Sequence, residues 1–226
     1  MGQPAPKRER GRRAQRPRRP QQRSLDTRER LVDAALEVFA ARGFDGATTR
    51  AIAERAGVAL AALPYHFETK EALWRAAAER IFGLLHTHFE AHVGVDAESD
   101  ATPEARLRDW LSEFVRFAAR HPELHRFMLQ EGTGASPRLS WLVEKHVRPR
   151  FELLRDVLAR AQRQGIAPKG RPEHLFYALI GAASMPYAVA PEFRRLTGDD
   201  PAAEPLVEAH VEFLFQLFFS RRGRAA

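Results

Sequence analysis

The sequence predicts an all-α fold, and three observations carry that prediction. Apolar residues recur at i, i+3, i+4 and i+7 through most of the chain. Thr, Ser and Pro stand where such runs begin, and Gly stands where several of them end. No segment shows sustained period-two alternation, and no Asn-Gly or Asp-Gly turn joins two apolar runs. With 226 residues, 44% of them hydrophobic, the chain is long enough to bury a substantial core plus a small appended unit.

Leu31, Ala34, Ala35, Val38 and Phe39 draw one apolar stripe on a first helix over about 27–42. Asp26 and Glu29 mark its start in the manner of a capping box, Gly43 ends it as a left-handed residue, and Phe44 is placed to fold back onto Phe39. Thr48 caps a short second helix that turns Ile52, Ala53 and Ala56 inward and stops at Gly57. Only Val58 and Ala59 separate it from the helical stretch LAALPYHF, so two short helices meet at a tight glycine turn, a helix-turn-helix.

Thr69 caps a fourth helix, KEALWRAAAERIFGLLHTHFEAHV, with Leu73, Ala77, Ile81 and Leu84 or Leu85 on one side. After the loop GVDAESDAT, the pairs Thr102-Pro103, His121-Pro122 and Ser136-Pro137 each open a helix, because proline's missing N–H is harmless in a first turn. The last two of these run to about Gly132 and Gly165, with a kink expected at Pro149. Two final patterns, PEHLFYALIGAASMPYAVA and VEAHVEFLFQLFF, are apolar around much of their circumference. In the first, Gly181, Ala182, Ala183 and Ser184 let another backbone approach closely. In the second, Val207, Val211, Leu214, Phe215 and Phe218 mark one face, and Phe213, Leu217 and Phe219 widen it. Such helices are either buried core or a two-helix contribution to a symmetric dimer bundle, and the bundle is the expectation.

Charge is placed unevenly. The formal net charge is +7, yet residues 1–24 alone hold nine basic side chains against Glu9, which leaves the remainder close to neutral. This segment also carries Pro4, Pro6, Pro17 and Pro20 and almost nothing apolar, so its composition predicts a disordered basic arm. No apolar run follows the positive charge, as a secretory signal would require. The uncharged stretch Leu175 to Pro191 contains Gly181, Ser184 and Pro186 and falls short of a membrane span, so no membrane partner and a cytoplasmic location are expected. The chain has no cysteine, which removes disulfides, thiolate zinc sites and cysteine nucleophiles. No nucleophile elbow, phosphate loop or paired-carboxylate pattern is present, so an enzyme is not expected, and neither is a cofactor.

The stretch 27–74, TRERLVDAALEVFAARGFDGATTRAIAERAGVALAALPYHFETKEALW, strongly resembles the DNA-binding domain of the TetR/AcrR family. The resemblance implies a three-helix head, a connecting fourth helix and a helical body whose last two helices dimerise. It places the helix-turn-helix at about 48–67 and the recognition helix at about 59–65. It thus implies a helix-turn-helix DNA-binding domain over 25–69, a helical effector-binding and dimerisation domain over 70–220 and a tail at 221–226. The expected partners are a second copy of the chain, palindromic double-stranded operator DNA and a small-molecule effector.

Thr48, Thr49 and Arg50 stand at the start of the second helix, where hydroxyls, free N–H groups and a cation suit a phosphate. Tyr65 and His66 match the family's aromatic pair, and Lys70 opens the fourth helix as a further phosphate contact. Between them the chain departs from the family pattern. Ala59, Leu60, Ala61, Ala62, Leu63 and Pro64 carry no side-chain donor, so base choice is left to thymine-methyl contacts, neighbouring residues, DNA shape and the arm. Pro64 is further expected to bias Leu63 away from helical geometry. Residues 25–80 hold eight basic and nine acidic side chains, so the arm is expected to supply much of the nonspecific affinity.

In the body, Trp110, Phe114, Phe117, Met128, Trp141 and Met185, with polar tips at His125, His146 and Tyr177, are candidates for the wall of an effector cavity, and the expected effector is small and largely apolar. His88 and His92, and likewise His121 and His125, stand four apart on helical faces, but neither pair has a third ligand legible in sequence, so no metal site is expected. The chain reads as a ligand-released repressor; the alternative is a helical DNA-binding activator or architectural protein without small-molecule control.

Overall fold

The computed structural model describes residues 20–92 and 102–219, among which every regular element is helical. The arm up to residue 19, most of the loop GVDAESDAT and the tail 221–226 lie outside the described residues. The first helix, α1 (Pro20–Gly46), starts upstream of the Asp26 and Glu29 signals, so residues 20–24 are its opening turns. Inside it, the Thr27 hydroxyl donates to the Arg23 carbonyl (2.8 Å), a bond within a running helix rather than a cap. Gly43 (φ 68°, ψ 177°) breaks the helix in a conformation that favours glycine, and Phe44 stacks on Phe39 with ring centres 5.9 Å apart.

The remaining elements are α2 (Thr49–Ala56), α3 (Leu63–His66), α4 (Lys70–His92), α5 (Pro103–Arg120), α6 (Pro122–Gly132), α7 (Pro137–Leu142), α8 (Arg148–Arg163), α9 (Pro172–Ala188), α10 (Ala190–Thr197) and α11 (Glu204–Phe219). The single helix expected from Pro137 to about Gly165 is thus interrupted. Residues 143–147 form a π-helical turn in which the Arg148 N–H reaches the Val143 carbonyl, and Pro149 sits in the first turn of α8. The wider turn absorbs the hydrogen bond that Pro149 cannot make. The short helix α10, not expected from the sequence, is ended by the left-handed Gly198.

Two apolar clusters hold the fold together. The first joins α1 to α4 and takes in Phe117, Leu124, Phe127 and Leu142, so the core of the N-terminal head runs on into α5, α6 and α7 instead of ending near residue 69. Trp74 of α4 lies at its centre, fully buried, stacked on Phe127 at 5.2 Å and 5.9 Å from Trp141. Outside the core, Phe44 is flanked by Lys70 and Arg138, whose cations lie 4.5 and 3.7 Å from its ring centre. The second cluster packs α5, α8, α9 and α11 around Leu111, Leu158, Leu179 and Leu214.

Candidate DNA-binding surface

The helix-turn-helix is fixed at both ends of α2. Thr48 is extended (φ −111°, ψ 147°) and its hydroxyl oxygen accepts the Ala51 N–H at 3.1 Å, while Gly57 (φ 61°, ψ 41°) closes the far end. Arg30 of α1 donates to the Ala56 and Gly57 carbonyls, placing a guanidinium on the negative end of the α2 dipole. Sequence reasoning missed this tie, because a charge on the outer side of α1 reveals a partner only once α2 is folded against it. Ile52, Ala53 and Ala56 are buried as their spacing predicts.

The segment expected at 59–65 is a 3₁₀ turn over Leu60–Ala62 running into α3. Pro64 does not end it. Leu63 keeps helical geometry (φ −61°, ψ −47°), its N–H bonds to Leu60, and Pro64 occupies the first turn of α3, where no N–H is needed. The expected displacement of Leu63 is therefore corrected: its buried side chain anchors the turn in the head core.

Ala59, Leu60, Ala61 and Pro64 are exposed, Ala62 is half-buried, and together they present methyl and methylene groups to solvent. Tyr65 stands out from this surface with 83% of its area exposed, its ring edge-on to His66 at 5.2 Å. Thr69 caps α4 through the Ala72 N–H at 3.0 Å, which leaves Lys70 on the first turn. Two capped helix starts, at Thr48 to Arg50 and at Thr69 to Lys70, thus bracket an apolar turn that ends in an exposed phenol. Such starts offer N–H groups and positive dipole ends to phosphates, and the turn offers shape and methyl contacts to bases.

The residues expected around one effector cavity fall in separate places. Trp110 stacks on Phe114 at 5.3 Å, and His125 meets Phe114 edge-on at 6.4 Å between α5 and α6. Burial pushes the His125 imidazole down to about 4. Phe117, Met128 and Trp141 belong instead to the cluster under the head. His146 stacks on Phe82 at 4.7 Å beside Trp141; burial, reinforced by Lys145 and Arg150, lowers it to about 4. Tyr177 and Met185 are corrected outright: they lie on the surface of α9, 72% and 43% exposed, so neither lines an interior wall. Phe213 and Leu217 of α11 are likewise exposed. The histidine pairs also differ from expectation. His121 bonds Glu123 (2.9 Å), whereas His88 and His92 of α4 meet a third donor, Glu113 of α5.

Residues 31–77 match the family described as bacterial regulatory proteins, tetR family, and residues 103–217, half of the chain, match the tetracyclin repressor-like C-terminal domain. The chain belongs to the TetR family. It is accordingly a DNA-binding transcriptional regulator and not an enzyme. Among curated TetR-family relatives, it is 26% identical to the HTH-type transcriptional regulator RutR of Escherichia coli K12 over 169 residues, covering 74% of this chain and 77% of RutR. It is 46% identical over 61 residues to the class C tetracycline repressor of Escherichia coli, covering 27% of this chain and 28% of that one. The fold matches the ketosteroid regulator KstR2 of Mycobacterium tuberculosis (TM-score 0.65, 19% identity, 85% of this chain and 95% of KstR2). It also matches AibR, solved with isovaleryl coenzyme A and operator DNA (TM-score 0.64, 17% identity, 85% and 98%). Among the described residues, no helix is long and apolar enough to cross a membrane.

Proposed function

We propose that this TetR-family regulator is a homodimeric repressor whose two heads grip a palindromic operator and which lets go when a small, largely apolar molecule occupies its body. The observation that carries this reading is the placement of α4. Its first turn holds Lys70 beside the apolar recognition turn, its middle is buried in the head core through Leu73, Trp74, Ala77 and Ile81, and its far end packs on α5. A change in the body that displaces α4 therefore displaces the head, and the separation of two heads on a duplex is what a dimer must hold constant.

The dimer is proposed to form through α9 and α11, where Tyr177, Met185, Phe213 and Leu217 leave apolar surface open to solvent. Thr48, Thr49, Arg50, Tyr65, His66 and Lys70 are proposed to hold phosphates and sugar edges, and Ala59, Leu60, Ala61, Ala62 and Pro64 to contact the groove. Trp110, Phe114 and His125 form the aromatic group best suited to an effector, since they pair flat apolar faces with one neutral imidazole. Among proteins of like fold, KstR2 is named a ketosteroid transcriptional regulator, and AibR was solved with isovaleryl coenzyme A, a short apolar acyl group on a charged carrier.

Selection of bound duplexes from a random library tests the reading. A palindrome with half-sites one helical turn apart is expected, and apolar compounds that raise the melting temperature should lower affinity for it. A selected site without two-fold symmetry, or operator affinity indifferent to every stabilising compound, would overturn it.

A further inference from the structure

We propose that His88, His92 and Glu113 form a binding site for one divalent transition-metal ion of the zinc class, tying the far end of α4 to α5. The histidines stand one turn apart on α4 with ring centres 4.4 Å apart, and α5 brings Glu113 against them. One donor atom from each of the three residues lies within 4.8 Å of the other two. Tetrahedral donors at about 2.0 to 2.2 Å from a metal are separated by roughly 3.3 to 3.6 Å. One edge of that figure is nearly in place, because His88 Nε2 lies 3.0 Å from Glu113 Oε2. His92 is exposed at the end of α4, so rotation of its side chain can close the others.

The hydrogen bonds around the cluster prepare these atoms for a cation. His92 Nδ1 lies 2.7 Å from the His88 carbonyl, and donation there puts the lone pair on Nε2, the arrangement that orients a metal-binding imidazole. Glu113 is 91% buried by residue area (9% exposed), and its Oε1 accepts from Arg116 at 2.5 Å. Its Oε2 has no donor: the His88 Nε2–H is directed at the Glu113 carbonyl (3.1 Å) rather than at the nearby carboxylate oxygen. A buried carboxylate oxygen without a hydrogen-bond donor, 3.0 Å from an imidazole nitrogen, is a group that a bound cation would satisfy. His88 ligates through Nε2 by carrying its proton on Nδ1 instead, so the ring stays neutral and no proton is lost.

The surrounding charges fit the same reading. Arg116 donates to Glu113 and to both carboxylate oxygens of Glu208 on α11, which fixes the Glu113 carboxylate in place from behind. Two imidazoles and a carboxylate select zinc, cobalt or nickel over magnesium and calcium, which demand a shell of oxygens. A fourth tetrahedral position is left for water.

The test uses the full-length chain, purified without a polyhistidine tag and stripped with a chelator, titrated with Co²⁺ while the visible absorption of four-coordinate cobalt is followed. Saturation at one equivalent per chain, displacement by Zn²⁺ and indifference to Mg²⁺ are expected. His92→Ala, an exposed change, should weaken binding by more than about tenfold, the lower range for loss of even an outer-shell partner. Glu113→Gln should do the same while keeping hydrogen bonds to Arg116. His86→Ala, on the same helix but outside the cluster, should bind as the parent does. Zn²⁺ should raise the melting temperature of the parent and not of His92→Ala. Failure of the parent to bind cobalt, binding unaffected by both His92→Ala and Glu113→Gln, or equal loss in His86→Ala would overturn the proposal.

Discussion

The imidazole of His210 on α11 lies 3.0 Å from the carbonyl of Ala182 on α9, through Nε2. In an unbroken helix that carbonyl would take the N–H of residue 186, which is Pro186 and has none. A side chain from the neighbouring helix therefore supplies the hydrogen bond that the proline withholds. Replacing His210 with Phe should leave a part-buried carbonyl unpaired and cost about 1 to 3 kcal/mol. Pro186→Ala returns the missing N–H, so His210→Phe should cost less in that background. Denaturant unfolding of the four proteins at fixed concentration measures the coupling; additive costs would show that the two residues act independently.

The same pair shows how far the sequence was legible. The caps at Thr48, Gly57, Thr69 and Thr102 all form where short-range chemistry puts them, whereas Pro186 was read only as an interruption of an uncharged stretch. Periodicity placed the core face of α1, α2 and α4 because those faces repeat along the chain. What could not be read depends on packing between distant segments. The bond from His210 to Ala182, the Arg30 cap on α2 and the approach of Glu113 to His88 each join residues more than twenty positions apart. The start of α1 was misplaced because Asp26 and Glu29 are good cap residues that happen to stand inside a longer helix. The effector candidates were scattered because an aromatic side chain at helical spacing looks the same whether it fills the core, as Phe117 does, or faces solvent, as Tyr177 does.

Acid should destabilise the protein in a defined window. His125 and His146 titrate at about 4 in the folded chain, mainly because burial disfavours their charged form, against 6.5 when unfolded. Between those values the unfolded state binds protons that the folded state does not, so stability falls as pH falls from 6.5 towards 4 and is insensitive to these groups above it. His146 is only 9% exposed and stacks on Phe82, so His146→Phe keeps the ring contact and removes one titrating group. Urea midpoints measured across this range with chelator present should decline less steeply for His146→Phe than for the parent. Identical slopes would show that His146 is charged as readily in the folded state.

Phe213 and Tyr177 stand on the open faces of α11 and α9, 59% and 72% exposed. A charge at either place costs little in an isolated chain and much in a packed interface. Phe213→Asp and Tyr177→Asp should therefore shift the protein to monomer in sedimentation and weaken operator binding strongly while preserving helical content. A monomeric parent chain would overturn the dimer, and a dimer unaffected by both changes would move the interface elsewhere.

Lys70 and Tyr65 separate two kinds of DNA contact. Lys70→Gln removes one phosphate-directed cation from each half of the dimer, so the slope of log affinity against log salt should drop by about 1.8, with equal weakening on operator and unrelated duplexes. Tyr65→Phe removes one donor and no charge; it should weaken operator binding with the salt slope unchanged. Equal slopes for the parent and Lys70→Gln would place that ammonium away from phosphate, consistent with its position over the Phe44 ring.

The arm is the larger electrostatic question. The folded head carries nearly balanced charge over residues 25–80, whereas residues 1–19 hold eight cations against Glu9. Pro20, the first described residue of α1, sets a cut that removes residues 1–19 and keeps every described turn of the helix. A chain beginning at Pro20 should keep its melting temperature and its selected operator, since the apolar turn and the two capped helix starts remain. Its nonspecific affinity should fall, and its salt dependence should flatten by up to about 0.9 for each arm cation that displaces a counterion from the duplex. Minor-groove entry by the arm predicts one more effect: operators with A·T-rich flanks should lose more affinity on truncation than those with G·C-rich flanks, because a narrow minor groove concentrates negative potential. Fluorescence anisotropy over a salt series, on matched duplexes differing only in flank, measures both quantities. A salt slope unaltered by truncation would assign the whole electrostatic affinity to the few cations of the folded head.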